Sequence, residues 1–284
     1  MNQRCFDLHT ELEDYFKQIA VHSRTDIVIA THQARKSLKS YRAFVKLLRA
    51  CPEAADWKPA NYLLRDLGKE FSDMRDTHVR GMLLSELNVN LKSPFLQKLI
   101  GKNSNETDNK EKVLLSKPNH FDKLYKKTKE SAILIDLFKQ SRLNKDCIVE
   151  SFKVALQKSH TAFSDSRELE TEEAFHEWRK RLKDVLNQLK LFRNEEKLIE
   201  DEQFSHINTL CEEMGMLNDM AMLKEWIEEY ESDPKKEVEA TGILRFLEKK
   251  IANFQHRLSD SGSHFYEDSD EVMHNLESLI RDEQ

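Results

Sequence analysis

Two stretches of the chain carry the residues best suited to chemistry. HQARKSLKSYRAFVKL runs from His32 to Leu47 and HEWRKRLKDVLNQLKL from His176 to Leu191, with seven of sixteen positions identical at an offset of 144 residues. Each holds His-x-x-Arg-Lys-x-x-Lys. In that pattern a single imidazole among cations is a poor start for a metal site, which needs three or four ligands. The pattern does supply donors to oxyanions. Arginine forks give paired hydrogen bonds and lysines give point charges.

Wound at about 100° per residue, His32, Arg35, Lys39, Arg42, Lys46 and Arg49 fall in one arc of about 100° and form a cationic stripe more than about 20 Å long. Ala34, Leu38, Tyr41, Val45 and Leu48 take the opposite, core-facing side. In the second copy His176, Arg179, Lys183, Lys190 and Arg193 line one edge, and Trp178, Leu182, Val185, Leu189 and Phe192 line the other. Lys36 and Lys180 flank the stripes at the same offset, while Leu186 stands in the place of Arg42. Solvated helix faces usually alternate in sign. Stacked cations oppose helix formation by about 1–2 kcal/mol, so unless acids from other helices neutralise them, the arrangement calls for an anion.

A compact metabolite would be held by a few donors at a Gly-rich loop or helix N-terminus, and neither GxxxxGK[ST] nor GxGxxG is present. A long stripe suits a linear chain of phosphates. Nucleic acid is disfavoured, because base readout needs exposed aromatics, and Tyr41, Phe44, Trp178 and Phe192 lie on or near the apolar sides. The charge distribution agrees. The net charge is −6, yet the windows 35–49 and 176–193 carry +6 and +4, leaving −16 for the remainder. The chain is an acidic body with two basic helices.

These helices need a scaffold. With 6 Gly and 5 Pro in 284 residues, an all-α fold is expected. Amphipathic patterns predict helices over about 6–21, 26–50 and 57–87, the last as one long helix or as two with a break near Ser72 and Asp73, and then near 120–141, 144–164, 171–194, 200–215, 218–231, 239–258 and 268–282. The polar stretch 101–113 reads as a loop separating a first half, 1–115, from a second, 116–284. Cys5, Cys51, Cys147 and Cys211 form no CxxC pair and read as small hydrophobes in a reducing cytoplasm. No apolar run has the length of a membrane span, so a cytoplasmic protein without membrane contact is expected.

The repeat extends downstream. LGKEFSDMRDTHV aligns with LCEEMGMLNDMAM at an offset of 143, placing Leu67, Glu70, Met74 and Asp76 on Leu210, Glu213, Leu217 and Asp219. Two ordered blocks at nearly one offset indicate a tandem duplication, and with it two bundles about a pseudo-twofold axis. Asp76 and Asp219 are read as structural, capping a helix or orienting a basic side chain.

His32-x-x-Arg35-Lys36-x-x-Lys39, His176-x-x-Arg179-Lys180-x-x-Lys183 and the downstream blocks LRDLGKEFSDMRD and INTLCEEMGMLND together resemble the two halves of a CHAD domain, the conserved histidine α-helical domain. The resemblance implies two four-helix bundles around a basic central cavity and binding of inorganic polyphosphate, often at polyphosphate granules. It assigns phosphate contacts to His32, Arg35, Lys36, Lys39, Arg42, Lys46, His176, Arg179, Lys180, Lys183 and Lys190. Arg75 joins them in the first half only, because Asn218 replaces it in the second. A clamp in which the first repeat grips more strongly is therefore expected. No cofactor or metal is implied.

Two other readings compete. Some CHAD domains accompany a CYTH triphosphatase with an E-x-E-x-K signature. The nearest matches here, ELEDY at Glu11 and ELETE at Glu168, lack the Lys, so a polyphosphate-processing enzyme is disfavoured. A scaffold binding RNA or an acidic protein through the same stripes is the remaining alternative.

Overall fold

The computed structural model describes residues 10–11, 13–15, 24–52, 57–116, 123, 126–127, 145–192, 201–230, 237–267, 269, 271–274 and 278. Among them there is no strand, and the chain is all-α. The main helices are α1 (Arg24–Leu47), α2 (Trp57–Lys69), α3 (Ser72–Leu91), α4 (Pro94–Ser116), α5 (Lys145–Leu169), α6 (Glu172–Phe192), α7 (Asp201–Tyr230) and α8 (Glu237–Glu267). Of the helix expected over 6–21, residues 10–11 and 13–15 are helical, and the rest lies outside the described residues, as does nearly all of 120–141.

Both motif helices bury the faces their periodicity assigns. Ala34, Leu38, Tyr41, Val45 and Leu48 are 0–2% exposed, and so are Trp178, Leu182, Val185 and Leu189. α1 packs directly on α6, and their apolar faces belong to one cluster that also takes residues from α2, α5, α7 and α8. A second cluster joins Leu84, Leu87, Phe95, Leu96 and Leu99 of α3 and α4 to Leu223, Ile227, Ala240, Ile243 and Leu247 of α7 and α8. Each cluster draws on both sides of position 115, so the halves share their cores.

The connections are tight. Lys92 closes α3 in the left-handed conformation (φ 47°) with its N–H on the Asn88 carbonyl, and Ser93-Pro94 opens α4 at once. Glu170 (φ 51°) ends α5 in the same way, and the Thr171 hydroxyl accepts the Ala174 N–H to start α6. Gly262 of α8 faces Phe163 and Trp178 so closely that an added Cβ would lie 2.6–2.7 Å from their rings.

Three expectations need correcting. Residues 101–113 are not a loop; they form the body of α4. The polar residues hold this helix: Asn103 donates to the Thr77 carbonyl at 3.0 Å, and Glu106 pairs with Arg80 of α3 at 2.6 Å and with Lys110 one turn on at 2.8 Å. The helices expected at 200–215 and 218–231 are one, α7, and the helix expected at 239–258 runs on to Glu267 as α8, while of the helix expected at 268–282 the described residues 269, 271–274 and 278 are helical. Gly215 inside α7 does not break it. Finally, Cys51 and Cys147 form a disulfide, with 5.0 Å between Cα atoms. Cys51 follows the last turn of α1 and Cys147 stands in the first turn of α5, where Ser151 accepts both the Ala50 N–H and a contact from Arg49. Cys211 is the small hydrophobe expected: it is buried, and burial pushes its thiol up to about 12.

No helix among the described residues is long and apolar enough to cross a membrane.

Candidate functional site

Because α1 and α6 lie side by side, the upstream parts of their stripes meet. Lys39 stands in the field of Lys183, its counterpart in the second copy, and of Arg35, Arg179 and Arg75. Its side chain is open to solvent yet ringed by protein, and its ammonium is pushed down to about 7, first by loss of water and then by those cations. Lys183 and Arg179 are also lowered, mainly by burial, with Arg75 adding to the effect at both and Arg179 at Lys183, while Asp219 opposes it. His32 is lowered by burial and by Lys39, Lys36, Arg75 and Arg35. Equivalent residues of the two repeats thus form one cluster whose members oppose each other's charge. Such an arrangement is relieved by an anion.

Local bonds set the direction of each arginine. Arg35 donates to the Gly68 carbonyl at 3.2 Å and the Ser72 hydroxyl at 3.0 Å, bridging the corner between α2 and α3. The buried Nε of Arg179 has no hydrogen-bond partner among the described residues. His176 shares a hydrogen bond with the Asn218 amide oxygen, tying α6 to α7. Lys36 is exposed beside the cluster.

The remaining residues that the resemblance assigns to phosphate behave differently. Lys46 forms an ion pair with Asp184 of α6 at 2.5 Å, and Arg42, half-buried, donates to the Asn61 amide oxygen at 3.2 Å in the field of the same Asp184. Arg75 makes a two-pronged bond to Asp219 of α7, 2.9 Å on each arm, and reaches Asp76 at 3.1 Å. Burial works against the charge of Arg75, but the two carboxylates outweigh it and raise its pKa. Lys180 is exposed and paired with Glu177. Lys190 donates to the Asn208 side chain at 3.1 Å.

The structural reading of Asp76 and Asp219 holds, since both orient Arg75. The expectation that the first repeat grips more strongly loses its basis. The cations that distinguish that repeat, Arg42 and Arg75, lie beside carboxylates from the second. Sequence reasoning counted Asp184 as a charge without a role. Its position as one of two acids, with Glu177, within the second basic stretch was the available signal, but its partner on α1 required the packing.

No group of three or more His, Cys, Asp or Glu able to hold a metal occurs among the described residues.

The CHAD domain family matches residues 10–228, well over half of the 284-residue chain, and the match ends near the C-terminus of α7, leaving α8 beyond it. A search of curated proteins finds no match. The family is linked to polyphosphate- and triphosphate-related proteins. The doubled motif, the helical architecture and the span of this match together make the chain a member of the CHAD domain family.

Proposed function

We propose that this protein binds inorganic polyphosphate at the cluster formed by Arg35, Lys36 and Lys39 of α1 with Arg179 and Lys183 of α6, His32 lying at its edge. One observation carries the reading: Lys39 and Lys183, equivalent residues of the two repeats, lie close enough to oppose each other's charge. Like charges crowded between two packed helices, only partly solvated, are stabilised by a compensating anion. In this reading the cluster lines a basic cavity. A linear polyanion supplies several negative charges in a row and satisfies both helices at once. The work is binding rather than catalysis, done at polyphosphate granules.

The test is a competition at physiological salt between long-chain polyphosphate, single-stranded RNA, ATP and orthophosphate, with phosphate release followed in the same tube. Polyphosphate should win, with no release in the presence of Mg²⁺. Five engaged cations give a log–log salt slope of about −3.5, at roughly 0.7 per contact. A preference for RNA, equal affinity for orthophosphate, or a flat salt response would overturn the reading.

A further inference from the structure

The first stripe changes character partway along. Upstream, His32 and Lys39 face the like-charged cluster, and Arg35 stands between the Asp76 carboxylate and the Arg75 guanidinium. Downstream, Arg42, Lys46 and Arg49 all feel one carboxylate, Asp184, which reaches Lys46 at 2.5 Å. Neutral groups take up further bonding capacity there: Asn61 accepts from Arg42, and the Ser151 carbonyl accepts from Arg49. Asp184 directly follows Lys183, so α6 presents a cation to the cluster and, one residue on, an anion to the rest of the stripe. In the first repeat the same position is Ser40, which cannot do this.

The opposite side of the cluster also carries carboxylates, with Asp219 and Asp76 gathered on Arg75. The cations left facing one another therefore span a short distance. From His32 to Lys39 is seven residues of α1, or about 10 Å.

Resting on the polyphosphate reading, we propose that Asp184 is a specificity-determining residue: it occupies the downstream half of the α1 stripe as an internal anion and so limits the length of polyphosphate that the protein engages. The bound chain makes its contacts over the upstream cluster, and Asp184 holds the place of the phosphates that would follow. Affinity then rises with chain length only until the cluster is filled. A longer chain gains no further ionic contacts.

The experiment titrates the full-length protein with size-fractionated polyphosphates at several salt concentrations, using the wild type, Asp184→Asn, Lys46→Gln and the double variant. For the wild type, affinity should plateau at short chains. Asp184→Asn releases two or three cations, so affinity for long chains should rise by about tenfold, the plateau should move to longer chains, and the salt slope should steepen by roughly 1.4–2. Lys46→Gln alone should change affinity less than about twofold, and added to Asp184→Asn it should cancel part of the gain. The double variant is what a merely stabilising role for Asp184 does not explain.

Two results would sink the inference. One is a folded Asp184→Asn protein with unchanged plateau and slope. The other is a Lys46→Gln loss as large as that of Lys39→Gln, which would show Lys46 already engaged by ligand; this reading stands even if Asp184→Asn fails to fold. Failure of the wild type to bind polyphosphate of any length is a different signature and overturns the proposed function itself.

Discussion

α1 and α6 carry the same His-x-x-Arg-Lys-x-x-Lys motif, and the basic residues in and around it fall into two groups of different physical character. Arg35 with Arg179 and Lys39 with Lys183 are retained in both, and the fold brings them together in an electrostatically unfavourable cluster. Where the copies diverge, charge is used internally. Ser40 against Asp184 creates the partner of Lys46, and Arg75 against Asn218 leaves one arginine to be shared by Asp76 and Asp219. Arg35, Lys39, Arg179 and Lys183 crowd one another, whereas Lys46, although matched by Lys190, and the unmatched Arg75 are paired with carboxylates. Binding capacity is expected to follow the first group and stability the second.

The sharpest way to break this distinction is to reverse the matched pair. Lys39→Glu combined with Lys183→Glu should weaken polyphosphate binding by about a hundredfold or more, since charge-assisted bonds contribute about 1.5–3 kcal/mol each. Helical circular dichroism should be unchanged, because both side chains point away from the apolar core. A loss below about tenfold in a folded variant would separate the cluster from binding.

The paired group should show the opposite response. Asp219→Asn removes the two-pronged partner of Arg75, with side chains only 27% and 14% exposed, and should cost about 1–3 kcal/mol of stability, read as a lower melting temperature. Binding should not weaken, because the substitution also removes a negative charge near Arg179 and Lys183. Asp76→Asn, with its single 3.1 Å contact, should cost less. Equal losses would show that Arg75 does not depend on Asp219 more than on Asp76.

These contrasts also mark what was readable before folding. The apolar faces of α1 and α6 followed from period alone, because Tyr41 and Trp178 recur in step with Leu38 and Leu182 and burial enforces that step. The convergence of Lys39 and Lys183 could not be read, since spacing along a helix is silent about which helix lies opposite. The same limit hid Lys46–Asp184 and Cys51–Cys147, pairs separated by 138 and 96 residues. α4 was missed for another reason. Its outward face is Asn, Glu, Asp and Lys without apolar period, and the contacts that hold it, from Arg80 and Thr77, come from the neighbouring helix.

Acidity tests the matched cluster without substitution. Lys39 in the free protein titrates at about 7 instead of its ordinary 10.5, and a bound polyanion restores the higher value. Binding between these limits then takes up a proton, so affinity should fall as pH rises, by about fivefold from pH 7 to pH 8. Stability has the opposite sign. The unfolded chain binds more protons at Lys39 over this window, so its contribution to folding improves as pH climbs from 7 toward 10.5. Calorimetry in buffers of different ionisation heat reads the proton uptake, and Lys39→Met should abolish most of it. Uptake unchanged in that variant would assign the titration to another group, with His32 next to be examined.

The smallest effect gives the finest comparison, between Lys36 and Lys180 at one repeat position. Lys180 is paired with Glu177, which its hydrogen bond holds below the ordinary carboxylate range. Lys36 instead adds to the positive field at His32. A surface ion pair of this kind is worth about 0–1 kcal/mol, enough to lower the gain from re-pairing Lys180 with phosphate but not to forbid it. Lys36→Gln should therefore weaken binding about two- to threefold and reduce the salt slope by roughly 0.7, while Lys180→Gln should change affinity by less than about twofold and leave the slope intact. If Glu177 is what separates them, Glu177→Gln should make Lys180→Gln as costly as Lys36→Gln. Persistence of the difference in that background would move its cause from local pairing to the position of α6 relative to the bound chain.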